Sequence, residues 1–395
     1  MNLPTLILLP SLCAKRVSDT QMIITQKFLD GVLEYLKYWP SKLVVMLEED
    51  VNLSNNLDNV IVDVSQLPFQ IRLVDYDFIQ DTEEFCKDII VVAAVSHRQN
   101  HISKVCNLKK IPSIYISEYS LKTRIQIINA TNTNLFRIIR KYVWEILQER
   151  KQEKAIALAT GVQCNGTPTF TAYQAINQHA LLYFDSRITE DMLIDLNELE
   201  ERLHKCQDKK PLRLVFSGRL MKIKGADHLI LVAMELKKLG VKFEMFICGD
   251  GDIKPQMINQ IAELGLTDSV QMMGNLDFKN DLVPFVKRNA DLFICCHRQG
   301  DPSCTYLETM SCGVPILGYD NEAFVGLVND SHTGWFVKMN RPDLLAKKIA
   351  ELDGNRQLIV MESRKSAEFS RHHTFEKTFQ KRINHIKALV VANSN

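Results

Sequence analysis

From Leu212 onward, short apolar runs alternate with helix-length amphipathic stretches. The runs are LRLVF (Leu212 to Phe216), FEMFIC (Phe243 to Cys248), VQMM (Val270 to Met273), DLFIC (Asp291 to Cys295), PIL (Pro315 to Leu317) and GWFV (Gly334 to Val337). This alternation predicts parallel strands joined by crossover helices. Between the first two runs Leu229, Val232, Ala233, Leu236 and Leu239 repeat at helical spacing, and Gly240 supplies a stop. The first half alternates in the same way, with TLILL at Thr5 to Leu9, LVVML at Leu43 to Leu47, VIVDV at Val60 to Val64, IIVVAA at Ile89 to Ala94, SIYI at Ser113 to Ile116 and AIALA at Ala155 to Ala159. The charge-rich segment from Asp195 to Lys210, ending in QDKKP, reads as a linker. The expected fold class is α/β, with two Rossmann-like domains and an interdomain cleft: residues 1–208, residues 209–370, and a closing helix over 371–395.

A chain of 395 residues is long enough for two cores, and 46% hydrophobic with 24% charged residues is a globular balance. A net charge of +1 gives no general attraction to nucleic acid or to an anionic surface, so any anion binding must be local. The ten cysteines include no C-x-x-C pair and no zinc-finger spacing, which reads as reduced thiols in a cytoplasmic enzyme. No basic residue precedes the apolar opening run, so it reads as a first buried strand and not as a secretory signal. No stretch approaches the roughly 20 apolar residues a membrane span needs, which leaves peripheral membrane association at most. A helix over residues 136–154 puts Phe136, Ile139, Val143, Ile146 and Leu147 on one face, with Arg137, Arg140, Lys141, Arg150 and Lys151 elsewhere. Such a helix either covers the core of its lobe or rests on anionic lipid, and core packing is the expected role.

In an open α/β domain ligands sit beyond the carboxyl ends of the strands, so the loops after the strands carry the chemistry. After Phe216 come Ser217, Gly218, Arg219, Lys222, Lys224 and Gly225: several cations on a flexible backbone, suited to a diphosphate. After DLFIC comes the run from Gly300 to Glu308, in which Asp301 or Ser303 is placed to cap a helix. The amides near Cys304 and Thr305 then offer partial positive charge to an anion, with no metal required. Glu308, one turn further, is a carboxylate for ribose hydroxyls or simply a complement to the helix dipole. The Gly249 to Asp252 loop reads first as a strand-to-helix turn.

Taken in order, FSGRLMKIKGADHLI, FICGDGD, VQMMGN, YLETMSCGVPILGYDNEAF and HTGWFV resemble the C-terminal domain of glycosyltransferase family 4, retaining enzymes of the two-lobed GT-B fold. The resemblance covers about Leu212 to Ile383. It implies that Arg219 and Lys224 hold a donor diphosphate, that Glu308 holds the ribose, that Met273 and Gly274 lie by the nucleobase, and that the final helix braces the first lobe. Two positions depart from the family. Gly300 stands eight residues before Glu308, where the family carries an acid, and Asp301 is the nearest substitute; Tyr319 to Phe324 replaces a glycine-rich segment near the donor sugar.

The resemblance implies transfer of a sugar from a nucleoside diphosphate, UDP or GDP, to a glycan, lipid-linked or small-molecule acceptor, without a cofactor or metal. Candidates for the residue facing the sugar are Asp301, Glu118 after SIYI and His97 after IIVVAA. The alternatives are an epimerase or phosphorylase on the same scaffold, or a degenerate nucleotide-sugar-binding protein. The Asp75-Tyr76-Asp77 spelling of a metal-binding motif falls outside the donor half. The loop from Gln163 to Thr169 reads as a turn ahead of a place in the acceptor pocket.

Overall fold

The computed structural model describes every residue except 1–2, 51–58, 87, 132–133, 209 and 394–395. The start of the opening run and Lys209 of the QDKKP stretch therefore lie outside the described residues.

Among the described residues the first domain is built on a ten-stranded sheet. Its strands are β1 (Thr5–Leu9), β2 (Cys13–Arg16), β3 (Gln21–Thr25), β4 (Leu43–Glu49), β5 (Asn59–Asp63), β6 (Gln70–Leu73), β7 (Ile89–Ala94), β8 (Ser113–Ser117), β9 (Gly161–Asn165) and β10 (Ala180–Tyr183). Its helices are α1 (Gln26–Tyr38), α2 (Ile102–Lys109), α3 (Leu121–Thr131), α4 (Leu135–Leu158) and α5 (Gly166–Tyr173). The order β10-β9-β8-β7-β1-β4 is parallel, and β2, β3 and β5 extend the far edge with antiparallel pairs. All six residues of β7 are buried, as they must be in a parallel strand covered on both faces.

One expected strand is corrected: AIALA forms the end of α4, and the strand is β9, just beyond it. Alternating small and apolar residues fit either period; Ala155 and Ile156 are buried together, which suits a helix face and not a strand. The expected linker is corrected as well, because Leu196–Gln207 is a helix, α6. It lies against the second domain, where buried Arg202 donates to the carbonyls of Cys312 at 2.6 Å and Lys287 at 3.1 Å.

The second sheet has six parallel strands, β11 (Leu212–Ser217), β12 (Phe243–Cys248), β13 (Val270–Gly274), β14 (Leu292–Cys295), β15 (Ile316–Tyr319) and β16 (Trp335–Val337). Around it lie α7 (Ala226–Lys238), α8 (Lys254–Glu263), α9 (Val283–Asn289), α10 (Thr305–Ser311), α11 (Glu322–Ser331), α12 (Pro342–Gly354) and α13 (Arg356–Ser370). The last helix, α14 (Phe375–Asn393), sends Phe379, Ile383, Ile386 and Leu389 into the core of the first domain.

Strand order in the second sheet is β13-β12-β11-β14-β15-β16. The chain builds outward from β11 to β13, then returns to add β14 on the other side of β11. At such a reversal the helices that follow the two neighbouring strands part and leave a crevice at the carboxyl edge.

Candidate functional site

The crevice collects the phosphate-side candidates. Gly218, Arg219 and Lys224 follow β11, Gly249 follows β12, Met273 and Gly274 close β13, and Ser303, Cys304, Thr305 and Glu308 follow β14. Lys224 is buried, and its ammonium pairs with Asp301 Oδ2 at 2.5 Å, which ties the two loops together. Arg298 ties them a second time, donating to the Lys222 carbonyl at 2.7 Å and pairing with Asp227 at 2.9 Å. Close backbone approach requires glycine at two of these turns. A Cβ at Gly225 would stand 1.9 Å from the Cys296 carbonyl oxygen, and one at Gly249 would stand 2.0 Å from that of Gly218. Arg219 is exposed beside this junction.

The capping expectation is corrected. The helix α10 starts at Thr305, and the residue before it, Cys304, is helical with no side-chain cap. Asp301 is drawn away by Lys224 and by Gln299, which donates to it at 3.0 Å, because an ammonium is a stronger partner than a backbone amide.

Glu308 lies in the first turn of α10 and is buried. Its Oε1 accepts a hydrogen bond from Arg187 Nε at 2.8 Å, and the Arg187 guanidinium sits 4.1 Å from the centre of the Phe278 ring. Phe278 follows β13, so this stack adjoins the Met273 and Gly274 end of the crevice.

The other wall belongs to the first domain. A cavity of about 590 Å³ opens at the carboxyl edge of its sheet, lined by His97, Glu118, Tyr119, Trp144, Asp185 and Arg382 among others. His97 stands edge-on to Trp144 at 5.5 Å between ring centres. Glu118 accepts from Asn165 Nδ2 at 2.8 Å, and its carboxyl is raised above the usual carboxylate range by burial and then by neighbouring Asp185. Tyr119 joins the walls electrically: burial, Asp301 and Glu118 push its phenol upward, while Arg219 opposes them. Asp301 thus belongs to the crevice and His97 and Glu118 to the cavity.

Across the cleft Lys27 Nζ pairs with Asp185 at 2.5 Å and lies 3.4 Å from Cys304 Sγ. Burial opposes the Lys27 charge, and the paired Asp185 carboxylate more than offsets it, so the ammonium is retained. Burial and Asp185 push the Cys304 thiol up, so it stays protonated. Further contacts hold the loop after β14 against α3, with Thr123 Oγ1 donating to the Gly300 carbonyl at 3.0 Å and the Gly300 amide donating to Gln126 at 2.8 Å.

Sequence reasoning missed Lys27, Tyr119, Asp185, Arg187 and Arg382. Asp185 and Arg187 follow β10, an ALLY run whose strand-end position was the available signal. Nothing local marks Lys27 or Arg382, which reach the site only through the packing of α1 and α14. The Asp75 and Asp77 carboxylates both pair with Arg98, at 3.0 and 2.8 Å. Gln163 to Asn165 belong to β9 and Gly166 opens α5, where the Thr169 hydroxyl turns back onto the Asn165 carbonyl at 3.0 Å. Among the described residues no cluster of three or more His, Cys, Asp or Glu side chains is placed to hold a metal ion.

Comparison with known proteins fits this geometry. Residues 199–367 match the family model described as glycosyl transferases group 1. An uncharacterized glycosyltransferase of Methanocaldococcus jannaschii is 27% identical over 161 residues, 40% of each chain. A 2-deoxystreptamine glucosyltransferase of Streptomyces kanamyceticus is 29% identical over 125 residues, 32% of each chain. Both matches span less than half of the relative's own length. The whole chain is similar to the solved structure of HepE from Anabaena in complex with UDP, with a TM-score of 0.67 and 12% identity over 97% of this chain and 99% of that one. The expected two-domain GT-B fold is therefore the one observed, and the resemblance seen in five ordered motifs holds where residues 199–367 carry the pattern of group 1 glycosyl transferases.

Proposed function

We propose that this chain transfers a sugar, with retention of anomeric configuration, from a nucleoside diphosphate donor to an acceptor seated in the first domain. The carrying observation is the Lys224–Asp301 junction at the point where strand order reverses, with Arg219 exposed beside it. In this reading Arg219 and Lys224 hold the diphosphate, Gly218 and Gly249 let the backbone come close to it, and Glu308 accepts from the ribose hydroxyls. Ser303, Cys304 and Thr305 present the turn that faces the phosphates, and Met273 and Gly274 border the base.

As the glycosidic bond to the phosphate breaks, negative charge grows on the phosphate and positive charge on the ring, and preorganised groups of opposite sign lower the barrier. Arg219 and Lys224 serve the phosphate. Asp301 and Glu118 flank the ring, and His97 lies on the acceptor side. Neither a cofactor nor a metal enters this scheme. The acceptor is a glycan, a small molecule or a lipid-linked sugar reached through peripheral contact with a membrane, and the apolar walls of the cavity suit an amphiphilic one.

The test is incubation with UDP- and GDP-linked sugars and a panel of acceptors, following nucleoside diphosphate release and the anomeric configuration of the product by NMR. Transfer with retention that disappears in Glu308→Ala supports the reading. Epimerised donor with no transfer, or no binding of either nucleoside diphosphate, overturns it.

A further inference from the structure

Helix α4 is inside out. Its first four turns expose Leu135, Phe136, Ile139, Val143, Ile146 and Leu147, with Phe136 77% exposed and Leu135 70%. The side that faces the protein is polar instead. There Glu145 and Glu149 pair with Arg124, Gln152 accepts from Arg124 at 2.6 Å, and the Tyr173 hydroxyl donates to Glu149 at 3.2 Å. Core packing, the expected role of this apolar face, is thus overturned: a buried ionic network anchors the helix and frees the apolar face for something else.

Exposing a continuous apolar face to water is costly, so a partner is implied. The charges around it identify the partner. Arg137, Arg140, Lys141, Arg150 and Lys151 are exposed along the helix, whereas the first two acids of the helix are turned inward onto Arg124. An outward surface that is apolar and basic, with its acids withdrawn, matches an anionic lipid surface: apolar side chains enter the acyl boundary and the cations meet the headgroups. Trp144, 44% exposed at the edge of this face, also lines the cavity of the first domain, so the surface runs to the cavity mouth. Among the described residues no helix is long and apolar enough to cross a membrane.

We infer that the Leu135–Lys151 face of α4 docks the protein on an anionic membrane and turns the mouth of the acceptor cavity toward that surface. The docking stands on the exposed face alone; only the orientation of an acceptor rests on the glycosyltransferase reading. One test is cosedimentation of the full chain with phosphatidylcholine vesicles, with and without phosphatidylglycerol. The variants are Phe136→Ser with Ile139→Ser and Val143→Ser, and separately Arg137→Glu with Arg140→Glu and Lys141→Glu. The parent should pellet only with the phosphatidylglycerol vesicles, high salt should weaken the association, and each triple variant should lose about tenfold or more of it. Circular dichroism and nucleoside diphosphate affinity should be unchanged in the variants, which separates lost docking from lost folding or a lost donor site. Three results would overturn the inference: a parent that stays in the supernatant with every vesicle, apolar variants that bind as well as the parent, or a parent that dimerises through this face while binding no lipid.

Discussion

Arg187 donates to Glu308 across 121 positions of sequence, 2.8 Å from Nε to Oε1, while its guanidinium lies over the Phe278 ring. The pair joins the segment that passes between the domains to the helix carrying the proposed ribose carboxylate. Arg187 is about half exposed, so water screens the pair and its contribution to stability is small. Its effect falls on the site, where it fixes the orientation of a buried carboxylate. Arg187→Ala is expected to weaken nucleoside diphosphate binding by about 1 kcal/mol, with partial recovery in Arg187→Lys. Calorimetry decides, and tighter binding in Arg187→Ala would show instead that the arginine competes with the ribose.

Arg219→Ala and Lys224→Ala together should cost about 2–3 kcal/mol of nucleoside diphosphate affinity, the range for charge-assisted contacts. Lys224→Ala also strips Asp301 of its buried partner, so its effect should shrink when combined with Asp301→Asn. Isothermal titration of the two single variants, the Lys224/Asp301 pair and the parent gives the coupling directly.

Gly225→Ala should destabilise the second domain by about 2–4 kcal/mol, through a left-handed backbone and a forced shift of the loop after β14. The φ there is 69°, and the added Cβ would collide with the Cys296 carbonyl. Urea unfolding monitors this. Gly240→Ala has a φ of 71° but nothing within 4 Å, and it should cost clearly less.

His373 is packed against Phe369 and Phe184, at 4.4 and 5.4 Å between ring centres, and burial first, then Lys381 and His372, lower its pKa to about 4. Between its ordinary value near 6.5 and about 4 the unfolded chain binds a proton that the native state refuses, so stability falls as pH drops through that window. His373→Leu should flatten the melting temperature against pH over that range. An equally steep profile in the variant would assign the acid sensitivity to other groups.

Much of the second domain was legible from sequence because its signals are local. A parallel strand covered on both faces must be continuously apolar, and its ligand loop must follow within a few residues, so FEMFIC maps onto β12 without shift. The same locality placed Arg219 and Lys224 on a loop and Glu308 at a helix start that the sheet topology then brought to one edge. Tertiary structure decided the rest. The Lys27–Asp185–Cys304 contacts join residues separated by 158 and 277 positions, and no local preference encodes which helix of one domain faces which loop of the other. The direction of α4 was equally beyond the sequence. Its periodicity marks an apolar face, but whether that face turns inward depends on where Arg124 stands. A largely enclosed guanidinium flanked by two glutamates of α4 outweighs the burial of its apolar face, because a charge left unpaired inside a protein costs more than a methyl group left in water.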